Sequence, residues 1–598
     1  MQYKPDTPDV ATINKRTSKE GAVQLGLGLA SPLDGFLNMD PLCKAVSSKL
    51  ARDLDLLLAT LGIPGKAVVQ LHSLGQAISP EDRALSISVN GRLCHYSDRD
   101  LELVLAYLSD DIWQQSDTSA SAQERLHKQY DKWTQTPDML GERLGDFFSL
   151  ICTDAIKSRP SVLFGPDQAG DYVRSLHLKN LPADTNWMRA VLSQVLDLRI
   201  SIADRSIVKQ VFAQGLLEEK QGEDIAEDLI SGLRLKTVEI QVPLSYLKEI
   251  TRDRLGGDRS KFSVVRDGLF YDFGLRFPAI NFVPVEDLRP GSFRFKINHL
   301  TTLPRSGLST EKCVADRTPE DLTPLNIQGR TATNPVTGST FSVVDSSSIQ
   351  ALKDAGIFYW TPLPYIFLCL GAELLLNGPS LVYRESVEAD LDQLELAFPA
   401  LVNARSSVSL EQLTRVLRSL IAERISIRNL KFILERILEY DYVVADPSST
   451  LIFDERLPAF TKPTQAWVNA PANIASFIRI GMKRFIKDKY AIDGTLYAYL
   501  VEPEIADIVS EYGFSRYDEN LDTLLSEVER QKILKAVRAR LGNHPTSDKF
   551  AVILTNTSVR STLRELIRDE FPERAVLAHE ENAPDLRIQP LGKISFNS

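Results

Sequence analysis

The sequence has few cysteines, few histidines and no surplus of positive charge. Its five cysteines, Cys43, Cys94, Cys152, Cys313 and Cys369, are scattered and never form a CxxC pair. That pattern reads as reduced thiols filling core positions in a cytosolic protein, not as a disulfide framework. The seven histidines are dispersed, and no two share a helix face beside a glutamate, which argues against a zinc site. His579, in "AHEEN", lacks the second histidine of HExxH. Lysine and arginine total 69 against 79 aspartates and glutamates, a formal net charge of -10. An acidic chain lacks the clustered cations that grip a nucleic-acid backbone. Long apolar runs are missing too. The longest, "LPYIFLCLGAELLL" from Leu363 to Leu376, contains Glu373 and falls short of the roughly 20 residues that span a bilayer. The amino-terminal "MQYKPDTPDVATINKRTSKEG" has no apolar signal segment, and residues 1–20 read as a disordered tail.

Catalytic motifs are equally sparse. Gly26 and Gly28 in "LGLGLA" are followed by Pro32 and Gly35, whereas a dinucleotide fingerprint feeds straight into a helix. A tight turn after a strand is the expectation there. "GIPGKAV" around Lys66 lacks the Ser/Thr of a phosphate loop, and no GxSxG elbow occurs. Carboxylate pairs such as Asp110-Asp111 and Glu218-Glu219 suit helix surfaces. No catalytic set, cofactor or metal is indicated.

What is present is size and repetition. A chain of 598 residues exceeds one hydrophobic core, so several domains are expected. Its 43% hydrophobic and 25% charged residues are those of a globular protein. Leu50, Leu54, Leu57, Leu58 and Leu61 recur at helical spacing up to Gly62, with Pro64 beyond. Some two hundred residues later the order returns: Leu269, Phe270, Phe273 and Gly274 align with Leu57, Leu58, Leu61 and Gly62, and Phe295 and Ile297 with Leu85 and Ile87. "RPSVLF" from Arg159 pairs with "GPSLVY" from Gly378. Val191, Leu192, Arg199, Ile200, Ser201 and Ile202 are identical to Val416, Leu417, Arg424, Ile425, Ser426 and Ile427. Matches in one order indicate two copies of one module. Towards the carboxyl terminus, "FAVILTN", "SVRSTLRELIRDEF" and "AVLAH" spell strand, helix and strand.

The repeated Arg-Ile-Ser-Ile reads as a corner between packed helices. The β-branched Ile425 and Ile427 resist continuing the helix. Ser426 is placed to cap a helix beginning near Arg428, and Arg424 and Arg428 tie loops together. Arg199 and Ser201 repeat the arrangement.

"LTRVLRSLIAERISIRNLKFILERILEY" resembles a segment of the export-gate proteins of flagellar and virulence type III secretion, the FHIPEP family. "RIGMKRFIKDKYAIDGTLYAYLVEPEIADIV" and "FAVILTNTSVRSTLRELIRDEFPERAVLAHEE" are similar to its last segments, and "VQLGLGLASPL" to the opening of its cytosolic region. "TNPVTGSTFSVV" is similar to a further family motif, with Asn334 in place of an aspartate and Phe341 near a tryptophan position.

The resemblance implies an α+β multidomain protein made of tandem copies of an export-gate cytosolic module (small α/β subdomains plus a helical one) with a βαβ-containing last subdomain. The expected boundaries are a degenerate first module over 21–235, a second over 236–450 and its carboxy-terminal α/β subdomain over 451–598. It further implies a non-enzymatic docking or assembly role, with secretion chaperones, export substrates and export-gate or other apparatus subunits as partners. The assembly is a homo-oligomer or ring, in the cytoplasm or peripheral to a membrane-bound apparatus, without membrane insertion or nucleic acid. No gate helices are found in this sequence, so ion conduction does not carry over. By position, Asn334, Thr337, Phe341 and Phe358 line the family's docking cleft. The rival readings are a scaffold that has lost the cleft and an unrecognised enzyme built on the final βαβ unit.

Overall fold

The computed structural model describes residues 21–75, 83–109, 121–178, 185–252, 259–336, 338–404, 408–445, 468–515, 525–541 and 551–596. The expected tail 1–20 and Thr337 lie outside them. Two compact units result, the first drawn from Met1–Gln76, Ala84–Cys94 and Thr136–Leu233, the second from Ala77–Arg83, His95–Gln135 and Arg234–Ser598. His95–Gln135, expected within the first module, therefore belongs to the second unit.

In the first unit β1 (Ala22–Ala30) is followed by α1 (Asp40–Leu61) and β2 (Lys66–Gly75), then by β3 (Leu85–Val89) and β4 (Arg92–Cys94). β2 runs parallel to β1 and β3 antiparallel on its other side, giving the order β2-β1-β3-β4. Val23, Leu25, Leu27 and Leu29 alternate into the core. The leucines of α1 are buried and Gly62, at φ 76°, closes the helix in the left-handed region. Gly26 and Gly28 lie inside β1, not in a turn after it. A Cβ on Gly28 would fall 2.7 Å from Leu74 Cδ2, so the glycine lets the neighbouring strand's side chains lie close rather than reversing the chain.

The chain then contributes α2 (Asp98–Leu108) and α3 (Ala122–Thr134) to the second unit. It returns through α4 (Pro137–Ser158), a 3-10 turn at Pro160–Leu163, α5 (Pro166–Ser175), α6 (Asn186–Asp197), α7 (Arg205–Leu217) and α8 (Gly222–Leu233). α4 packs on α1, and α8 on α6 and α7.

The second unit opens with β5 (Thr237–Val242), α9 (Leu244–Arg252), α10 (Arg259–Phe273), β6 (Ala279–Pro284), β7 (Ser292–Ile297) and β8 (Leu300–Thr301). β5 is parallel to β6 and antiparallel to β7, in the order β6-β5-β7-β8. Both β3–β4 and β7–β8 turn on an asparagine at positive φ, Asn90 and Asn298. Aligned on these turns, Phe295 corresponds to Ile87 and Ile297 to Val89, two residues from the match read in the sequence. Strand side chains alternate with period two, so the buried face is unchanged by that slip.

β9 (Arg305–Ser306) pairs with β7. An antiparallel insert sheet follows: β10 (Lys312–Ala315), α11 (Pro319–Leu322), β11 (Arg330–Thr333), β12 (Thr340–Asp345), α12 (Ile349–Asp354) and β13 (Tyr359–Trp360), in strand order β11-β12-β10-β13. Helices resume with α13 (Pro362–Leu376), a 3-10 turn at Gly378–Leu381, α14 (Arg384–Ala397), α15 (Pro399–Ala404), α16 (Leu410–Ala422), α17 (Leu430–Ala445), α18 (Pro471–Gly481) and α19 (Lys483–Tyr490). The last part comprises β14 (Thr495–Val501), α20 (Pro503–Ser515), α21 (Glu527–Leu541), β15 (Val552–Thr555), α22 (Thr557–Ile567), β16 (Val576–Ala578) and β17 (Arg587–Ile594). Its four strands are all parallel, in the order β16-β15-β14-β17. One core runs from Ile240 and Phe295 through Leu417 and Ile478 to Leu496 and Leu554, whereas the insert sheet has small cores of its own. No described helix is long and apolar enough to cross a membrane.

Candidate functional site

The two Arg-Ile-Ser-Ile corners have the same geometry. Arg199 and Arg424 both adopt left-handed backbone, at φ 62° and 58°, and their N–H groups close the preceding helix on Leu196 and Ile421, each at 2.8 Å. Ile202 N–H donates to Leu61 O and Ile427 N–H to Phe273 O, each at 2.9 Å. Each corner thus ties the end of its helix to the residue before a left-handed glycine, Gly62 or Gly274. The serines stabilise the bend but do not cap the following helix. Ser201 Oγ accepts from Ala203 N–H at 3.1 Å and Ser426 Oγ from Arg428 N–H at 3.4 Å. The caps are Asp204, accepting from Ile207 N–H, and Asn429, accepting from Phe432 N–H, both at 3.2 Å. α17 accordingly starts at Leu430, later than the sequence suggests. Arg428 lies over the Tyr271 ring and donates to its carbonyl at 3.3 Å, a loop tie.

Beside the second corner is a buried ionic network. Arg479 of α18 donates to Glu581 through Nε and Nη2, at 2.8 and 2.7 Å, and to Glu423 at 2.8 Å. Arg560 of α22 bonds to Glu423 and, at 2.7 Å, to Ser476 Oγ. Burial pushes the Glu423 carboxyl up, but the Arg560 and Arg479 guanidiniums outweigh it and hold the group below its ordinary value. In the first unit Leu198 stands at the Glu423 position. Ile225, Ala226 and Leu229 of α8 are buried as Ile474, Ala475 and Ile478 are in α18, and Ile230 stands where Arg479 does. The residues that hold the last subdomain in the second unit are apolar in the first.

Lys489 donates to Arg424 O and lies 4.9, 5.3 and 5.8 Å from the ring centroids of Phe273, Tyr490 and Phe485. Burial, helped by the Arg424 and Arg479 charges, pushes Lys489 down to about 7 from an ordinary 10.5. The unfolded chain therefore binds a proton here that the folded chain has released, so this site adds stability as pH rises from about 7 towards about 10. Urea midpoints are expected to show that rise, and Lys489→Met to flatten it.

On the insert sheet, the sequence-predicted cleft residues take different roles. Phe341 of β12 is buried among Leu308, Val314, Val343, Trp360 and Leu368, stacked on Trp360 at 4.9 Å and 27°. Phe358 meets the same indole edge-on at 4.8 Å and is 42% exposed. Asn334 is buried: its Oδ1 accepts from Val336 N–H at 2.8 Å and its O from Gly338 N–H at 2.9 Å, shaping the β11–β12 turn. The structure therefore joins Phe341 and Phe358 through Trp360, a residue that the sequence reading passed over, and places Asn334 in the adjoining turn. Among the described residues no group of His, Cys, Asp and Glu could hold a metal ion.

Invasion protein InvA of Salmonella typhimurium is 24% identical over 422 residues, covering 68% of this chain and 56% of that protein. Flagellar biosynthesis protein FlhA of Bacillus subtilis is 22% identical over 393 residues, covering 63% and 54%. The chain thus spans about half the length of these relatives. A solved complex of the Chlamydia pneumoniae proteins CdsV and CdsO aligns with a TM-score of 0.49 at 23% identity, over 61% of this chain and 98% of that one. The FHIPEP family matches residues 177–587, more than half of the sequence and including the second corner, the ionic network and the insert sheet; the chain belongs to the FHIPEP family.

Proposed function

We propose that this protein is a non-enzymatic docking component of a type III secretion-like export apparatus, built from two modules of one kind. Supporting the two-module reading are the matching strand orders, the paired asparagine turns and the two corners closed on Gly62 and Gly274. Membership of a family that includes invasion and flagellar biosynthesis proteins supports the export role. Secretion chaperones, export substrates and apparatus subunits are the partners, and a ring of copies on the cytoplasmic side of a membrane is the assembly.

One observation carries the docking assignment. Phe358 presents an exposed aromatic face, backed by Trp360 and the buried Phe341, and a rigidly supported aromatic ring is the usual centre of a protein–protein contact. Phe358→Ala is expected to weaken binding to a secretion chaperone by about tenfold, or about 1.4 kcal/mol, with an unchanged circular dichroism spectrum. Calorimetric titration checks this, and unaltered affinity would favour the scaffold reading. The full burial of Phe341 is what supports that second reading, since a buried ring offers no surface to a partner.

A further inference from the structure

In the second unit the insert sheet lies between the first strands and the long helix α13. At the same point of the amino-terminal half the chain carries α2 and α3, and these belong to the second unit. Both helices start on a complete capping box, Ser97 with Asp100 and Ser121 with Glu124. α2 packs against α3 and β9, and Leu101, Val104, Leu105 and Leu108 form one buried stripe. Such i, i+3, i+4, i+7 anchors are how a helix is read by a receiving surface.

Polar contacts hold α2 at both ends. Arg99 reaches Glu373 of α13 at 3.4 Å and Glu573, between α22 and β16, at 4.0 Å. His95 Nδ1 is 2.9 Å from Glu570 Oε1. At the far end Arg289 donates to Tyr107 O at 3.0 Å and lies over its ring. Glu573 is also close to the tip of the β11–β12 turn, since a Cβ on Gly338 would lie 3.9 Å from its Oε2. The first turn of α2 thus sits where the insert sheet, α13 and the last subdomain converge.

The acidic groups do not depend on α2 for their counter-charge. Glu373 is also paired with Arg305, and Glu570 with Arg538 at 2.8 Å. With α2 removed, the principal buried carboxylates keep a cation, so the surface avoids the large cost of an unpaired buried charge. That is the arrangement of a receiving face and its ligand, where a core helix would leave its partners uncompensated.

We propose that α2 is a built-in ligand of a helix-binding face on the second unit. The face accepts an amphipathic helix with an arginine two residues ahead of its first apolar anchor, as Arg99 precedes Leu101, and α2 keeps it filled. A protein partner bearing that pattern engages the face only when α2 leaves it. The proposal does not use the Phe358 contact, so its test stands or falls without that reading.

The probe is a fluorescently labelled synthetic peptide of residues 95–109. The full chain carrying Arg99→Glu, Leu101→Ser and Leu105→Ser, which cannot seat its own α2, is expected to bind the peptide at least about tenfold more tightly than the unaltered chain. Equal binding by the two chains, or no binding by a variant that keeps the unaltered circular dichroism spectrum, would overturn the proposal. Should the triple variant not fold, the single Arg99→Glu chain decides by hydrogen exchange. Amides of α2 are expected to exchange at least about tenfold faster while those of α13 and α22 keep their protection. Unchanged protection of α2, or its loss together with α13 and α22, counts against a separable ligand.

Discussion

Arg560→Ala is expected to destabilise the second unit by about 3–5 kcal/mol, the cost of leaving a buried charge without its partner. Arg560 is 0% exposed and Glu581 1%. Removing the guanidinium strips Glu423 of one cation and leaves Ser476 Oγ without its 2.7 Å donor. Arg479 alone then faces two carboxylates, Glu581 and Glu423, at 2.7 and 2.8 Å, so one buried negative charge is left uncompensated. Equilibrium urea unfolding checks the magnitude, and a change under about 1 kcal/mol would show that water reaches the site. Replacing Glu423, Arg479, Arg560 and Glu581 together by leucine or methionine is expected to be far milder. A buried ion network is costly to break but not costly to replace by packed hydrocarbon. The first unit already illustrates that exchange, with Leu198 and Ile230 where the second has Glu423 and Arg479.

Gly274→Ala and Gly62→Ala are each expected to cost about 2–5 kcal/mol, from left-handed backbone that disfavours a side chain and from overpacking. A Cβ on Gly274 would lie 2.5 Å from Arg428 N, and one on Gly62 2.4 Å from Ala203 Cα. Both obstacles are backbone, which cannot swing aside as a side-chain end can. Because the corners have the same geometry, the two substitutions should produce effects of similar size, each confined to its own unit. Hydrogen exchange of α7 and α17 reports them separately. A large loss from one and none from the other would sink the idea that the two corners are one device.

Much of this was legible in the residues. The corner stood out because six residues, from Val191 to Ile202, recur from Val416 to Ile427, and its helix-ending glycines were readable from Gly62 and Gly274. In sequence the α2–α3 region is a polar, Gln- and Ser-rich stretch, although "SDRD" and "SAQE" each spell a capping box. Its short apolar stripe was diluted by Asp98, Asp100 and Glu102. The glycines of β1 were misplaced because a glycine needed for close strand packing looks, in sequence, like one needed for a turn. Ser426 is a cap-forming residue in sequence, but the bend adds residues before the helix begins, and Asn429 takes that place.

By itself the sequence determined the chain's acidity, its repeated corner and its kinship with the FHIPEP family. All three reside in residue identity and local spacing. Only the tertiary structure decided that Phe341 is core while Phe358 faces solvent, that Glu423 meets Arg560 and Arg479 meets Glu581, and that α2 belongs to the second unit. The ionic contacts join residues more than a hundred positions apart, and in the case of Arg99 and Glu373 more than two hundred. Local propensity carries no information about which distant side chain completes a buried charge, because that choice is made by the packing of helices and sheets around it.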